Sequence, residues 1–132
     1  MSAAARVLVD TSAWVETFRP DGDPAVRAAV SLAADDGRAV LCDMVLLELW
    51  NGAGDPQVER LLRNLERLAP LVPTTDAVWQ KARDLARQCR RAGVTLPGAD
   101  LLIAACARVH GLDLLHRDGH FDRLAAAVGK RP

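Results

Sequence analysis

Short β-branched apolar runs alternate along this chain with stretches whose apolar residues recur at helical spacing. Arg6-Val7-Leu8-Val9 reads as a strand ending at Asp10, after which Thr11-Ser12 turn the chain into a helix. Asp23-Pro24 supplies an N-cap and a proline for a first helical position, and Val26, Ala29, Val30 and Ala33 follow with the period of one helix face. Ala39-Val40-Leu41 predicts a second strand, with Asp43 capping a helix that runs through Trp50. Val58, Leu61, Leu62 and Leu65 make the stripe of an amphipathic helix, with Arg60, Arg63 and Arg67 largely off it. Leu71-Val72 predicts a third strand. The helix after it places Val78, Ala82, Leu85, Ala86 and Cys89 on one face and Gly93 beyond its end. Leu101 to Ala107 is apolar on every side, the mark of a buried helix; Leu112 to Leu115 predicts a fourth strand and Phe121 to Val128 a last helix. Strands alternating with helices predict an α/β domain with a mainly parallel central sheet of four or five strands flanked by helices. In such sheets ligands gather at the carboxyl ends of the strands.

Composition bounds this picture without redrawing it. The 132 residues suit one domain spanning 1–132, and neither an internal repeat nor a long linker divides them. With 50% hydrophobic and 26% charged residues the chain has the make-up of an ordinary globular protein. The stretch from Met1 to Trp14 carries Asp10 in its apolar part and lacks the long apolar region of a signal peptide, and no run of about 18 apolar residues suggests a membrane span. Cys42, Cys89 and Cys106 are odd in number, widely spaced and without a CxxC pattern, which fits reduced thiols in a cytoplasm better than a disulfide or zinc framework. Lys plus Arg and Asp plus Glu are 17 each, so no bulk positive charge attracts a polyanion.

The informative residues are acids set among apolar neighbours. Asp10 ends the first strand, Glu48 interrupts Val45-Leu46-Leu47-Glu48-Leu49-Trp50, Asp100 opens the all-apolar helix and Asp118 follows the fourth strand. Taken singly, Asp10 also reads as a helix cap, Asp100 as a first-turn acid at the positive end of a helix dipole, and Asp118 as a turn residue. Glu48 is harder to dismiss, because its helical neighbours at i−4 and i+4 are Met44 and Gly52 and neither is basic. Jointly the four suggest convergence, since Asp10 and Asp118 both follow predicted strands and the helices bearing Asp100 and Glu48 can face the same crevice. Converging carboxylates repel one another and raise their own pKa values unless a cation neutralises them. An all-oxygen set suits Mg²⁺ or Mn²⁺ and not a zinc site of Cys and His.

The segments Val9-Asp10-Thr11-Ser12-Ala13-Trp14, Leu47-Glu48-Leu49, Pro97-Gly98-Ala99-Asp100-Leu101-Leu102-Ile103-Ala104-Ala105 and Leu114-Leu115-His116-Arg117-Asp118-Gly119-His120-Phe121-Asp122 resemble, in order and spacing, the PIN-domain nucleases, specifically VapC-type toxins of bacterial toxin–antitoxin pairs. The resemblance covers essentially the whole chain. It implies a PIN-like three-layer fold and a metal-dependent endoribonuclease that inhibits translation and growth. Asp10, Glu48, Asp100 and Asp118 would be its catalytic and metal-binding acids, with Mg²⁺ or Mn²⁺ activating a water for attack on an RNA phosphodiester. Thr11 and Ser12 are placed to hydrogen-bond a ligand carboxylate or the phosphate, or to cap the helix. Many relatives carry a further acid where this chain has His120; Asp122 is a substitute candidate for metal, and His120 and Arg117 are expected to face substrate. Trp14 belongs to the core or to a groove offered to an antitoxin.

The implied partners are RNA, a VapB-like antitoxin covering the acid cleft, and copies of the chain itself in a homodimer and in toxin–antitoxin hetero-oligomers, with promoter DNA contacted only through the antitoxin. The implied compartment is the cytoplasm, without a membrane. After Val128 only Gly129-Lys130-Arg131-Pro132 remain, a poor sequence for the edge strand of many relatives. Two other readings stay open. One is a non-catalytic PIN scaffold that binds a protein partner. The other is an aspartate-based phosphoryl-transfer domain, disfavoured because Ser12 stands where a phosphatase has a second Asp and no lysine lies between Lys81 and Lys130. Under the nuclease reading zero net charge does not argue against nucleic acid, since the acids committed to metal are offset by the bound cation.

Overall fold

A computed structural model describes residues 5–129. The elements run β1 (Val7–Val9), α1 (Thr11–Phe18), α2 (Pro24–Asp35), β2 (Ala39–Cys42), α3 (Asp43–Asn51), α4 (Pro56–Leu68), β3 (Leu71–Val72), α5 (Asp76–Arg91), α6 (Gly98–Val109), β4 (Asp113–Leu115) and α7 (Gly119–Val128). The four strands form one sheet in the order β3-β2-β1-β4, with every pairing parallel. The two inner strands are continuous apolar runs because both faces are covered: Leu8, Val9, Val40 and Leu41 are fully buried. The predicted elements all form, and the sheet has four strands among the described residues.

Local chemistry sets most boundaries. Asp23 and Asp55 each cap a helix that starts with proline, accepting from the backbone N–H of Val26 and Val58 respectively. Gly93, at φ +78°, closes α5 by taking the left-handed conformation while Val94 N–H donates to the Cys89 carbonyl at 2.8 Å. Asp43 differs from expectation. It is the first residue of α3 and not its cap, because β2 runs into α3 without a loop residue and Cys42 takes the extended cap backbone with no side-chain bond. The expectation about an edge strand after Val128 rests on Lys130-Arg131-Pro132, which lie outside the described residues.

α6 is the central helix. Leu101 through Ala107 are all buried, and the helix packs against α3, α5, α7 and β4. Trp14 is 4% exposed and joins the core, which removes it from any groove, whereas Trp79 is exposed and Trp50 donates its indole N–H to the Glu66 carboxylate. Among the described residues no helix is long and apolar enough to cross a membrane.

The strand order matters most for chemistry. The chain builds from β1 outward to β3, then returns to place β4 on the other side of β1. This reversal creates a switch point between the carboxyl ends of β1 and β4, the place where a parallel sheet opens a crevice.

Candidate active site

Asp10 and Asp118 follow the two strands at that switch point. Asp10 N–H donates to the Leu115 carbonyl at 2.9 Å, extending the β1–β4 ladder by one bond and fixing the residue at the sheet edge. Asp10 then caps α1, and Asp118 caps α7. Asp100 lies in the first turn of α6. Three of the four acids therefore sit at helix N-termini, where exposed N–H groups and the helix dipole favour negative charge. Glu48 lies in the second half of α3 and has no such support.

Each acid has one oxygen tied to the scaffold. Asp10 Oδ2 accepts from Ser12 Oγ at 2.6 Å and Ser12 N–H at 3.0 Å. Glu48 Oε1 accepts from Thr11 Oγ1 at 2.8 Å. Asp118 Oδ1 accepts from His120 N–H at 2.9 Å, and Asp100 Oδ2 lies 2.7 Å from His120 Nδ1. Ser12 Oγ also accepts from Arg117 N–H at 2.9 Å, so one hydroxyl ties the Asp10 carboxylate to the loop that delivers Asp118. Thr11 and Ser12 thus hold two of the acids, one of the roles expected of them.

Electrostatics shows that the acids share one space. Burial pushes the Glu48 carboxyl above the usual range against the Thr11 hydrogen bond, and the charges of Asp10, Asp100 and Asp118 push it further. Asp100 is likewise raised, first by burial and then by Asp118 and Asp10, against its contact with His120. Asp10 is 3% exposed, and its buried Oδ1 has no hydrogen-bond partner among the described residues. A buried carboxylate oxygen left unpaired is costly. A cation among these acids would satisfy that oxygen and relieve the mutual repulsion, so the residues fit a hard divalent ion. Among the described residues no lysine or arginine forms an ion pair with any of the four; His120 is the basic side chain that pairs with them.

The structure places the three remaining candidates differently from one another. Arg117 does not face the carboxylates: its guanidinium pairs with Asp23 and lies 3.6 Å from Glu16, drawn there by acids on α1 and the α1–α2 turn. Asp122 is 78% exposed, with its closest ionic contact His116 at 3.9 Å, because it sits one helical turn beyond Asp118 and points away from the cluster. His120 faces the acids directly, 2.7 Å from Asp100 and 3.3 Å from Asp118, so the assembled set is not oxygen-only.

Glu16 is a further buried acid that the sequence motifs do not single out. It is 7% exposed, accepts from Asp23 N–H at 3.1 Å and pairs with Arg19 at 3.3 Å as well as with Arg117. Its signal was the same as that of Glu48, an acid interrupting an apolar helix, Trp14-Val15-Glu16-Thr17-Phe18. Unlike Glu48 it meets arginines, and its role is to pin the α1–α2 turn and the Arg117 loop together.

Comparison with known proteins is consistent across sequence and fold. The profile of the PIN domain matches residues 7–127. The chain is 38% identical over 122 residues to ribonuclease VapC11 of Mycobacterium tuberculosis, covering 90% of this chain and 91% of that protein. Its fold is similar to VapBC2 from Rickettsia felis, solved bound to a DNA fragment from the promoter, with TM-score 0.73, 17% identity and coverage of 89% and 91% of the two chains. It is also similar to VapBC-5 from Mycobacterium tuberculosis, a member of the VapBC family of toxin–antitoxin systems, with TM-score 0.68, 23% identity and coverage of 96% and 95%.

Proposed function

Because the chain belongs to the PIN-domain family, we propose that it is a VapC-type endoribonuclease, the toxin of a toxin–antitoxin pair, hydrolysing RNA phosphodiester bonds with a divalent ion, Mg²⁺ or Mn²⁺. Identity to named VapC ribonucleases along nearly the whole chain supports the activity. The single observation that carries the site is that Asp10, Glu48, Asp100 and Asp118 each have one oxygen tied to the scaffold while the buried Asp10 Oδ1 stays unpaired.

These four acids are the proposed catalytic and metal-holding residues. When bound, a divalent ion supplies Lewis acidity, making water a nucleophile at neutral pH and offsetting charge that develops on the phosphate. The chain's own part is positional. Ser12 fixes Asp10 and, through Arg117 N–H, the loop before Asp118; Thr11 aims Glu48 from across the cleft. The raised affinity of Glu48 and Asp100 for protons reflects burial first and neighbouring negative charge second, and a cation relieves the second. No serine or cysteine nucleophile is needed.

The VapBC complexes among its structural relatives, one of them bound to promoter DNA, support a VapB-like antitoxin as partner; with that reading go a homodimeric toxin within a hetero-oligomer and promoter DNA contacted through the antitoxin. One domain working on cellular RNA in the cytoplasm fits these partners. A non-catalytic scaffold has no need of four oriented acids and is disfavoured. The test is to map RNA 5′ ends after brief expression of the wild type and of Asp10→Asn. New ends at defined sites with the wild type alone support the reading, and identical maps overturn it.

A further inference from the structure

We infer that His120 is a nitrogen ligand of the divalent ion held by Asp100 and Asp118, so that this chain takes Mn²⁺ in preference to Mg²⁺. The inference rests on the metal-dependent reading above and specifies the ion.

Three observations carry it. Asp100, Asp118 and His120 each offer one donor atom, and these atoms lie within 4.8 Å of one another. His120 Nδ1 is 2.7 Å from Asp100 Oδ2 and 3.3 Å from Asp118 Oδ1. Six ligands around an ion with bonds of about 2.1 Å place adjacent donor atoms about 3 Å apart, so both distances match neighbouring ligands on one ion. Second, the unpaired Oδ1 of Asp10, 97% buried by its 3% exposure, belongs to the carboxylate whose charge acts on both Glu48 and Asp100. Among the described residues the acid beside this cluster therefore carries a buried polar atom without a hydrogen-bond partner. Third, α7 imposes the placement of the imidazole: Asp118 caps the helix by accepting from His120 N–H, which locks His120 into the first turn with its ring over the acids.

Donor chemistry then selects the ion. Mg²⁺ favours oxygen donors and retains water, whereas imidazole is a borderline ligand that binds later first-row ions more strongly along the series that begins at Mn²⁺. Replacing a carboxylate by an imidazole also removes one negative charge, which lowers the purely electrostatic attraction that Mg²⁺ depends on.

The experiment is pulsed electron paramagnetic resonance on the full-length protein loaded with Mn²⁺, beside calorimetric titration with Mn²⁺ and with Mg²⁺, for wild type, His120→Gln and His120→Asp. Expected are nitrogen modulations from a directly bound imidazole in the wild type, lost in both variants while Mn²⁺ stays bound. The Mn²⁺ over Mg²⁺ affinity ratio should fall at least about tenfold in His120→Asp. Bound Mn²⁺ without nitrogen coupling in the wild type, coupling that persists in His120→Gln, or an unchanged ratio in His120→Asp would overturn the inference while leaving the nuclease reading intact. Binding of Mg²⁺ but not of Mn²⁺ would overturn the inference alone, and failure to bind either ion would overturn both.

Discussion

Thr11 and Glu48, 37 positions apart, meet through a 2.8 Å hydrogen bond from the threonine hydroxyl to the glutamate carboxylate, joining the start of α1 to the second half of α3. This bond opposes the burial and repulsion that raise the Glu48 pKa, and it is the one interaction resolved as holding that group toward its charged form. Thr11→Val removes the donor at nearly constant volume. A hydrogen bond to a charged group contributes about 1.5–3 kcal/mol, so divalent-ion affinity should fall roughly tenfold or more, while Thr11→Ser keeps it near wild type. Calorimetric ion titration at constant pH checks this, and equal affinity in Thr11→Val would show that Glu48 is held by other means.

Crowded carboxylates imply that the metal-free protein sacrifices stability at its site. Asp100 and Glu48 bind protons more tightly folded than unfolded, so the folded state is favoured below their raised pKa values and loses that advantage as pH rises through them. Above those raised values the penalty is fully present. Asp100→Asn should therefore raise the metal-free Tm at pH 7.5 by a few degrees and abolish most of the further rise that Mg²⁺ or Mn²⁺ gives the wild type. The gain should shrink as pH falls into the ordinary carboxylate range. Thermal melts with and without chelator at pH 7.5 and 5 measure both effects; a lower metal-free Tm for Asp100→Asn at pH 7.5 would contradict the assignment of repulsion.

Asp23 behaves in the opposite sense. Its capping bond from Val26 N–H, with the Arg117 guanidinium beside it, holds its carboxyl below the usual range. Its contribution to stability is present above that range and is lost as pH falls through the lowered value. In Arg117→Met the Asp23 pKa should move toward the ordinary value without reaching it, because the Val26 bond remains. Carboxyl-carbon NMR titration reads the change, and an unmoved Asp23 would show that Arg117 contributes nothing there.

The turn that carries this network depends on Gly22. A Cβ at that position would meet the Glu16 carbonyl oxygen at 1.8 Å, which is backbone and cannot swing aside. Gly22→Ala should destabilise by about 1–3 kcal/mol, seen as a Tm several degrees lower, and a wild-type Tm would mean that the α1–α2 turn relaxes freely.

The fold was legible because its signals are local and agree. Short continuous apolar runs at Val7–Val9 and Ala39–Cys42, the Asp-Pro helix start at residues 23–24 and the all-apolar Leu101–Ala107 stretch identify the same elements in sequence and structure. The four acids were legible for a related reason, since a carboxylate among Leu and Val is costly without a partner. What was not legible lies in pairings across the chain. Arg117 turns toward Glu16 and Asp23 because of a turn about 95 residues earlier in sequence, a placement that no spacing rule contains. His120 likewise depends on where the first turn of α6 puts Asp100, 20 positions away. Asp43 failed as a cap because β2 and α3 abut without a loop, a register that sequence periodicity defines only to within a residue or two.

The most direct test of the central claim is cleavage of a single-stranded or loop-containing RNA by purified wild type and Asp10→Asn, with Mg²⁺ or Mn²⁺ and with chelator. Asp10 is chosen because its buried oxygen without a hydrogen-bond partner among the described residues is where the proposed ion would bind, and the asparagine preserves its shape. Expected is cleavage that requires the ion and falls at least about a hundredfold in the variant, the scale seen when a charge-stabilising group is removed, with the fold retained by circular dichroism. Cleavage of equal rate in wild type and Asp10→Asn, or undiminished by chelator, would contradict it.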